Sequence, residues 1–541
     1  MKVKNLMLVG IASLSLALAG CGSGNESPTT SGTSSGELAE GVYITDSGAQ
    51  ALALGDPVRG GALTVGHFAP VESLDPTTSV GSGAAVMRAI FDVLFVYDAN
   101  GDVVPELAES IETTDGGKTW IMKLPAAVKF TDGTDFNAQA IVAHLENLAA
   151  EGSMSRAAGD VRQIESMNTP DDLTLEMVLK EPNMTFPKVF VWGIPGGPSM
   201  IPSPTAVKEL GDSFGAKPVG AGPFKVKSFQ SGGDVVLERN PDYYMDEYPY
   251  LDELTFKNTT DSQARLAAAQ AGDIDMGSSK AATDMVQAEA AGLTALYQPD
   301  GSYYNLLYNL AEEPFDDVRF RTAVIHALDL NALNEAVFDG LHTPMQGMVP
   351  TSNPHFVETD WPTFDVEAAK KLVTEYEADG GKAEFTVTTT SPPEFQKQAA
   401  VMQQMLQDAG ITMNINVADQ PTMVTEALAG KFQAQHRYVD VREEFDQLLR
   451  TGYHSNSTGN FSQVGNPDLD VLLDELKTQE GQDRKSEIYA DIQEVLAEWV
   501  PITPLVAHSD GWYVGDEVGG FPGVRVGVSE PDWRQIWKKE S

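Results

Sequence analysis

From about residue 59 onward, the chain alternates short segments with a strand pattern and longer segments with a helical pattern. The strand-like segments are β-rich or alternate apolar and polar residues, and they cover 61–66, 119–124, 173–179, 385–390 and 412–417. In the helical segments apolar residues recur every three to four positions, and these segments cover 84–97, the stretch after Asn137, 265–271, 317–338, 365–378, 393–409, 421–429, 467–477 and 483–498. The pattern predicts an α/β body with at least two lobes.

Local signals fix some of these elements more closely. Asn137 is a suitable N-cap for the helix that follows it, and Gly272 is expected to end the helix at 265–271. The helix at 393–409 lies between two strand segments, 385–390 and 412–417. Two strands joined by one helix form a right-handed unit with a parallel strand pair.

The N-terminus has the pattern of an export signal. Lys2 and Lys4 precede an apolar run at 6–19, which spans only about 21 Å as a helix, less than the roughly 30 Å of a bilayer core. The run ends at residues 18–21 (LAGC), which resemble a bacterial lipobox. Cys21 is the single cysteine of the chain, so it forms no internal disulfide. We predict that residues 1–20 are a lipoprotein signal peptide and that Cys21 is lipidated; an ordinary secretory signal is the alternative.

Residues 22–36 (GSGNESPTTSGTSSG) have almost nothing to bury and predict a flexible coil. We therefore assign residues 21–58 to a lipidated cysteine and a tether between the membrane and the body. Within this segment, residues 37–58 either dock on the body or stay loose.

The charge excludes one class of partner. The chain has 36 Lys and Arg against 78 Asp and Glu, a formal net charge of −42. Phosphate repulsion makes nucleic-acid binding improbable. An anionic lipid surface repels the body as well, so a lipid on Cys21 would have to provide the anchoring.

Several segments in order resemble the extracellular solute-binding proteins of ABC importers, in the large family that includes dipeptide-, oligopeptide- and nickel-binding proteins. These segments are 61–66 (GALTVG), 73–76 (SLDP), 91–97 (FDVLFVY), 105–110 (PELAES), 128–133 (VKFTDG), 218–224 (PVGAGPF), 240–243 (NPDY), 272–275 (GDID), 314–321 (PFDDVRFR), 327–329 (ALD) and 501–504 (PITP). The resemblance covers roughly residues 60–535. Each segment alone is weak evidence, whereas their shared order and spacing are strong evidence.

The resemblance implies a two-lobed Venus flytrap fold of the large peptide-binding type, with an additional subdomain. It assigns residues 59–88, 205–308 and 511–541 to lobe I and residues 309–510 to lobe II. Residues 89–204 form the additional subdomain, packed on lobe I. The solute is then held between two lobes joined by crossing strands.

The resemblance also places the binding residues. In peptide-binding relatives an aspartate pairs with the amino terminus of the peptide, and Asp440 is the nearest positional match. Arg437 is expected to clamp a carboxylate, and Tyr438 is expected to stack or to form a hydrogen bond. Peptide binders usually carry a Trp-containing, Asp-Pro-rich loop here, whereas this chain continues with Arg442, Glu443 and Glu444, which we expect to form salt bridges on a solvated loop.

Further candidates come from other parts of the chain. Tyr303, Tyr304 and Asn305 lie at the expected interlobe crossing. Trp192 is either an aromatic wall of the pocket or a core residue. His436 lies near the expected pocket, and a metal chelate is therefore an alternative ligand.

The sequence lacks several catalytic signatures. It has no S-x-x-K or Walker loop, and its eight histidines include no HExxH motif and no pair at i, i+4. We predict a monomeric binding protein, not an enzyme, with no cofactor and no bound metal.

The expected partners are a small solute, most simply a peptide, an ABC permease and its ATPase subunits, and the membrane through the lipid. The expected location is the outer face of the bacterial cytoplasmic membrane. The alternatives are a receptor of the same fold for a metal chelate, an opine or a sugar, a partner of a membrane sensor, and a surface hydrolase.

Overall fold

The structure is a computed structural model. It describes residues 42–44, 56–77, 83–98, 102–153, 155, 157–191, 197–279, 282–351, 353, 355–439, 445–457, 459–479, 481–521 and 531–539. All of them belong to one compact unit, Leu38–Ser541. Cys21 and the signal segment lie outside the described residues. Among the described residues, no helix is both long and apolar enough to cross a bilayer.

The strands of the described residues are, in chain order, β1 (Val42–Ile44), β2 (Ala62–His67), β3 (Phe95–Tyr97), β4 (Val103–Pro105), β5 (Ser110–Thr113), β6 (Thr119–Lys123), β7 (Ile164–Asp171), β8 (Thr174–Leu179), β9 (Phe224–Phe229), β10 (Val235–Arg239), β11 (Glu253–Asn258), β12 (Met276–Ser279), β13 (Thr294–Tyr308), β14 (Thr343–Pro344), β15 (Glu384–Thr389), β16 (Thr412–Val417), β17 (Ala434–Val439), β18 (Ile502–Val514), β19 (Val518–Gly519) and β20 (Trp537–Lys538).

The α-helices are α1 (Ala84–Ile90), α2 (Ala138–Ala149), α3 (Ala158–Val161), α4 (Pro204–Leu210), α5 (Ser262–Gln270), α6 (Ala282–Ala290), α7 (Val318–Ala327), α8 (Leu330–Phe338), α9 (Val366–Ala378), α10 (Pro393–Asp408), α11 (Gln420–Leu428), α12 (Phe445–Tyr453), α13 (Pro467–Thr478) and α14 (Gln482–Trp499). Two short 3₁₀ helices cover Phe186–Phe190 and Gly211–Ala216.

Two long antiparallel strands, β13 and β18, connect the two halves of the main sheet. The sheet order is β16-β15-β17-β13-β18-β12-β2-β11-β10-β9. The β13–β18 register shifts between Pro299 and Tyr303, where the pair passes from one half to the other. We call the half with β2 and β9–β12 the first lobe and the half with β15–β17 the second lobe.

Each half has its own apolar core. The first-lobe core packs around β2, β10 and β11 and includes Trp512 and Trp533. The second lobe has one core on each face of its sheet, around Phe315 and Phe385 on one face and around Ile488 and Ile502 on the other. Separate cores allow each lobe to stay rigid while the strands between them bend.

A separate four-stranded sheet, in the order β5-β6-β8-β7, forms the centre of an additional subdomain. Its buried face packs against α2, where Ile141 and Leu145 are buried together with Trp120 and Met122 of β6. The backbone N–H of Met184 donates to the carbonyl oxygen of Lys477 on α13 over 2.7 Å, so the subdomain also contacts the second lobe. The domain boundaries proposed from sequence stay a prediction.

Several local predictions are confirmed. The side chain of Asn137 accepts a hydrogen bond from the backbone N–H of Ala140 and caps α2. Helix α5 ends before Gly272, which has a φ of +76°. Strands β15 and β16 flank α10 and pair in parallel, as the pattern of one helix between two strands predicts.

Two helical predictions are wrong in part. The predicted helix at 84–97 ends at Ile90, and Phe91 is already extended, because Phe95–Tyr97 pairs with β4. The predicted helix at 317–338 is two helices, α7 and α8, because Leu328 is extended and Asp329 caps α8 through its side chain. The apolar periodicity runs through both breaks and therefore hides them.

The glycine-rich segment at 218–224 is a turn that leads into β9, as predicted. The backbone N–H of Gly222 donates to the carbonyl oxygen of Ile90 over 2.9 Å. A Cβ atom at Gly222 would lie 2.5 Å from the same oxygen. The segment thus needs glycine for close approach to the end of α1.

The tether assigned from sequence includes one described element. Residues 42–44 form β1, which pairs in parallel with Ala295–Tyr297 of β13. The chain contacts the body at this point, one of the two arrangements left open for residues 37–58.

Candidate functional site

A cavity of about 890 Å³ lies between the two lobes. Its walls are built from the segments that follow the carboxyl ends of β2, β11 and β12 in the first lobe and of β15 and β16 in the second. Strands β2, β11 and β12 are parallel to one another, as are β15 and β16. In open α/β sheets ligands bind at the carboxyl ends of parallel strands, and 300–1,000 Å³ is the usual size of a ligand pocket.

The first-lobe wall is polar, and several of its groups bond within the protein. The buried guanidinium of Arg265 donates to the carbonyl oxygens of Ser278, over 2.9 Å, and of Thr259, over 2.6 Å. The carboxylate of Asp284 accepts from the hydroxyl of Ser279 over 2.6 Å and from the amide of Gln263 over 3.3 Å. These bonds hold the ends of β11 and β12 against α5 and α6 and fix the shape of this wall.

The second-lobe wall is aromatic and centres on Tyr304 of β13. Tyr304 stacks on Phe338 of α8 with ring centroids 5.5 Å apart. It meets Phe395 of α10 and Tyr438 of β17 edge to face, each at 5.3 Å. The four rings come from four different elements, and all four line the cavity.

Three histidines border this aromatic wall. His342 and His508 lie with ring centroids 4.9 Å apart, and His436 lies 5.0 Å from the ring of Phe395. Burial lowers the pKa of His342 to about 3, with a smaller contribution from His508. Burial also lowers the pKa of His436 to about 3. Both imidazoles are therefore uncharged at neutral pH.

The predicted binding residues of β13 and β17 fall on two faces of the sheet. Tyr304 pairs with Tyr438, and Asn305 pairs with Arg437. Because side chains alternate along a strand, Tyr304, Tyr438 and His436 share the face of the aromatic wall. Tyr303, Asn305 and Arg437 belong to the opposite face.

On that opposite face Tyr303 and Asn305 are buried, and Arg437 is half-buried. Tyr303 and Asn305 are each 1% exposed, and Tyr303 packs in the core with Leu307. The guanidinium of Arg437 lies 4.8 Å from the ring centroid of Phe461, and burial lowers the pKa of Arg437. Arg437 nevertheless contributes to the cavity lining. The ligand roles of Tyr303 and Asn305 stay predictions.

Other predicted residues lie outside the described residues. These are Asp440 and Trp192, together with Arg442, Glu443 and Glu444. Their roles as binding or solvated residues stay predictions.

The sequence analysis missed several residues of the cavity wall, which are Phe68, Arg265, Phe338, His342, Glu394, Phe395 and His508. One signal could have found Glu394 and Phe395, because they follow the carboxyl end of a predicted parallel strand in a β–α–β unit. The same signal points to Asp419, which follows β16, lines the cavity and caps α11.

The histidines do not gather into a metal site. Among the described residues no group of three or more His, Cys, Asp or Glu side chains is placed to hold a metal ion.

The chain is similar in sequence to a known family and to known proteins. The model of the bacterial extracellular solute-binding proteins, family 5 (middle part), matches residues 102–457, about two thirds of the chain. The glutathione-binding protein GsiB of Pectobacterium atrosepticum is 26% identical over 493 residues, which are 85% of this chain and 91% of that protein.

Two solved structures share the fold. NikA from Brucella suis in complex with Fe(III)-EDTA superposes with a TM-score of 0.78 at 20% identity, over 88% of this chain and 100% of NikA. The oligopeptide-binding protein AppA from Bacillus subtilis in complex with a nonapeptide gives a TM-score of 0.71 at 23% identity, over 90% of this chain and 100% of AppA. These likenesses show a two-lobed periplasmic-binding-protein fold of the large peptide-binding type.

Proposed function

The chain belongs to the bacterial extracellular solute-binding proteins, family 5, and from this premise we propose that it captures a peptide or peptide-like solute for an ABC importer. The observation that carries the proposal is the cavity of about 890 Å³ at the carboxyl ends of strands from both lobes. Closure of two rigid lobes around such a cavity buries most of a small solute. The energy for transport comes from the ATPase subunits of the importer.

The chemistry of the cavity suits a peptide. The carboxylates of Glu394 and Asp419 line it, and the negative charge of the whole chain favours a cationic amino terminus. Asp440 is our candidate partner for that terminus, and Arg437 is our candidate for the peptide carboxylate. The relative GsiB is named for binding glutathione, itself a peptide, and AppA was solved with a nonapeptide.

Thermal unfolding of the purified chain with and without solutes tests this proposal. We expect short peptides at millimolar concentration to raise the midpoint of unfolding, because a ligand that binds only the folded state stabilises it. Free amino acids, an opine and a sugar serve as comparison solutes. A shift with the sugar or the opine and none with any peptide would contradict the proposal.

A metal chelate is the second candidate solute. His342, His436 and His508 border the cavity, and the structurally similar NikA was solved with Fe(III)-EDTA. An imidazole nitrogen is a common metal ligand and could complete the coordination of a chelated ion. Thermal unfolding with Fe(III)-EDTA and with EDTA alone separates this candidate from the peptide.

We further propose that a lipid on Cys21 anchors the protein to the outer face of the cytoplasmic membrane. The apolar run at 6–19 and the LAGC sequence support this, together with the coil-like composition of residues 22–36. The anchored protein would act as a monomer and dock on the permease. A sensor role on the same membrane predicts that deletion leaves peptide uptake unchanged, whereas the importer role predicts that uptake is lost.

We also propose that the protein does not catalyse a reaction. The S-x-x-K and HExxH signatures are absent from the chain. The G-x-S-x-G match at 211–215 follows helix α4 and forms a 3₁₀ helix, whereas a nucleophile elbow lies between a strand and a helix. Incubation of a bound peptide with the protein, followed by mass spectrometry, should return the peptide intact. Fragments that accumulate with time would indicate a hydrolase.

A further inference from the structure

The aromatic wall, formed by Tyr304, Phe338, Phe395 and Tyr438, is only partly covered by the protein itself. Tyr304 is 6% exposed and serves as the base on which the other three rings pack. Phe338, Phe395 and Tyr438 are half-buried and line the cavity. Their open ring surface faces the space that a solute fills, and an aromatic group placed there gains both apolar burial and ring–ring contact.

Two buried imidazole nitrogens border this wall without a hydrogen-bond partner among the described residues. They are Nε2 of His436 and Nδ1 of His342. The two side chains line the cavity, and the residues are 0% and 6% exposed. A buried polar atom without a partner is unfavourable, so a ligand group that bonds to either nitrogen is favoured. A neutral imidazole has one donor and one acceptor, which suits a phenolic hydroxyl or an indole N–H.

The arrangement of the rings favours an aromatic group over a cation. Rings that enclose an ammonium group stand apart around it, whereas Phe338, Phe395 and Tyr438 all pack within 5.5 Å of the Tyr304 centroid. Phe338 stacks on Tyr304, whereas Phe395 and Tyr438 are steeply inclined to it, so the wall offers a ligand ring both faces and edges to pack against. A cationic side chain would also lose its hydration beside this surface.

We propose that the aromatic wall, with His342 and His436, is a subsite for an aromatic side chain that carries a hydrogen-bonding atom, as in tyrosine or tryptophan. The solute is then a short peptide, or a peptide-like molecule, with one such side chain. This inference rests on the proposed function, because it names the class of peptide that the same cavity selects.

Calorimetric titration of the purified full chain with four tripeptides tests the inference. The probes are Ala-Tyr-Ala, Ala-Phe-Ala, Ala-Lys-Ala and Ala-Ala-Ala. We expect Ala-Tyr-Ala to bind about tenfold more tightly than Ala-Ala-Ala and more tightly than Ala-Phe-Ala. Equal affinities of Ala-Tyr-Ala and Ala-Ala-Ala, or tightest binding of Ala-Lys-Ala, would overturn the subsite. Equal affinities of the tyrosine and phenylalanine peptides would overturn the role of the imidazoles.

Two variants assign the effect to the wall. Phe395→Leu keeps an apolar side chain and removes the ring, and we expect it to reduce the preference for Ala-Tyr-Ala over Ala-Ala-Ala to less than about threefold. Phe364→Leu makes the same change at an exposed phenylalanine outside the cavity lining; it is the matched control and should keep the preference. Circular dichroism confirms that both variants are folded. A Phe395→Leu protein with the full preference contradicts the assignment.

The same titrations distinguish failure of the aromatic subsite from failure of the proposed function. Peptides that bind without an aromatic preference leave the proposed function standing and remove the subsite. Failure of all four peptides to bind contradicts peptide capture, and the subsite falls with it.

Discussion

The Nδ1 atom of His436 lies 3.2 Å from the Oγ1 atom of Thr389, so the last residue of β15 orients an imidazole on β17. The contact forms in the buried interior, where both residues are 0% exposed. The other ring nitrogen, Nε2, has no hydrogen-bond partner among the described residues. A second-lobe hydrogen bond thus fixes a group that we expect to contact the solute.

The burial of His436 makes the stability of the protein dependent on pH. The pKa of His436 is about 3 in the folded protein and about 6.5 in the unfolded chain. The unfolded chain therefore binds the proton first, and the unfolding free energy falls as the pH falls from about 6.5 to about 3. One such histidine removes about 2 kcal/mol between pH 7 and pH 5.

The substitution His436→Asn tests this dependence. We expect the variant to lose less unfolding free energy between pH 7 and pH 5 than the parent, by about 2 kcal/mol, in urea unfolding at both pH values. His342→Asn should give a similar change, because the pKa of His342 is also about 3. If the parent and the His436→Asn protein have the same pH dependence, His436 takes up its proton as readily in the folded state as in the unfolded chain.

The close packing of the turn at 218–224 against the end of α1 is tested by adding a methyl group at Gly222. Gly222→Ala places a methyl group 2.5 Å from the carbonyl oxygen of Ile90, and we expect a loss of about 1–3 kcal/mol of unfolding free energy. Gly159→Ala is the matched control, because its Cβ atom meets nothing within 4 Å. Equal stability of the two variants in urea unfolding would show that the turn relaxes without cost.

The role of Asp440 follows from the family resemblance. Asp440→Ala should weaken the binding of a short peptide by about 1.5–3 kcal/mol, because a charge-assisted contact to the amino terminus is lost. N-acetylation of the peptide should weaken binding to the parent and change binding to the variant little. Asp212→Ala, which removes an exposed carboxylate from the first lobe, is the control. An unchanged dissociation constant for Asp440→Ala would refute the assignment.

The lipid anchor is tested in cells. Cys21→Ser removes the thiol that the lipid requires, so we expect the protein to move from the membrane fraction to the soluble extracellular fraction. Immunoblotting of the two fractions measures the change. A Cys21→Ser protein that stays with the membranes would mean that another segment holds it there.

Local patterns predicted the fold better than they predicted the site. The period of two at 412–417 and the cap at Asn137 are properties of neighbouring residues, and both elements form as predicted. The end of α1 at Ile90 depends instead on residues outside 84–97, because Phe95–Tyr97 pairs with β4 and the backbone N–H of Gly222 donates to the carbonyl oxygen of Ile90. No pattern within 84–97 contains that information.

The site depends almost entirely on contacts between distant residues. His342 and His508 come within 4.9 Å although more than 160 residues separate them in sequence. In the sequence Phe338 and Phe395 are apolar positions of ordinary helices. In the structure both rings pack on Tyr304 and therefore belong to one wall. The family resemblance pointed to the segments that carry Tyr304, His436 and Tyr438, which line the cavity, and the ligand roles of these residues stay predictions. The resemblance could not assign single side chains to one face of the sheet.

Whether the cavity holds a peptide can be measured by native mass spectrometry of the purified chain with an equimolar mixture of short peptides, free amino acids, an opine, a sugar and Fe(III)-EDTA. We expect one complex of one protein molecule with one intact peptide, richest in the peptides with an aromatic residue. A complex with the sugar, the opine or the chelate and none with a peptide would contradict it.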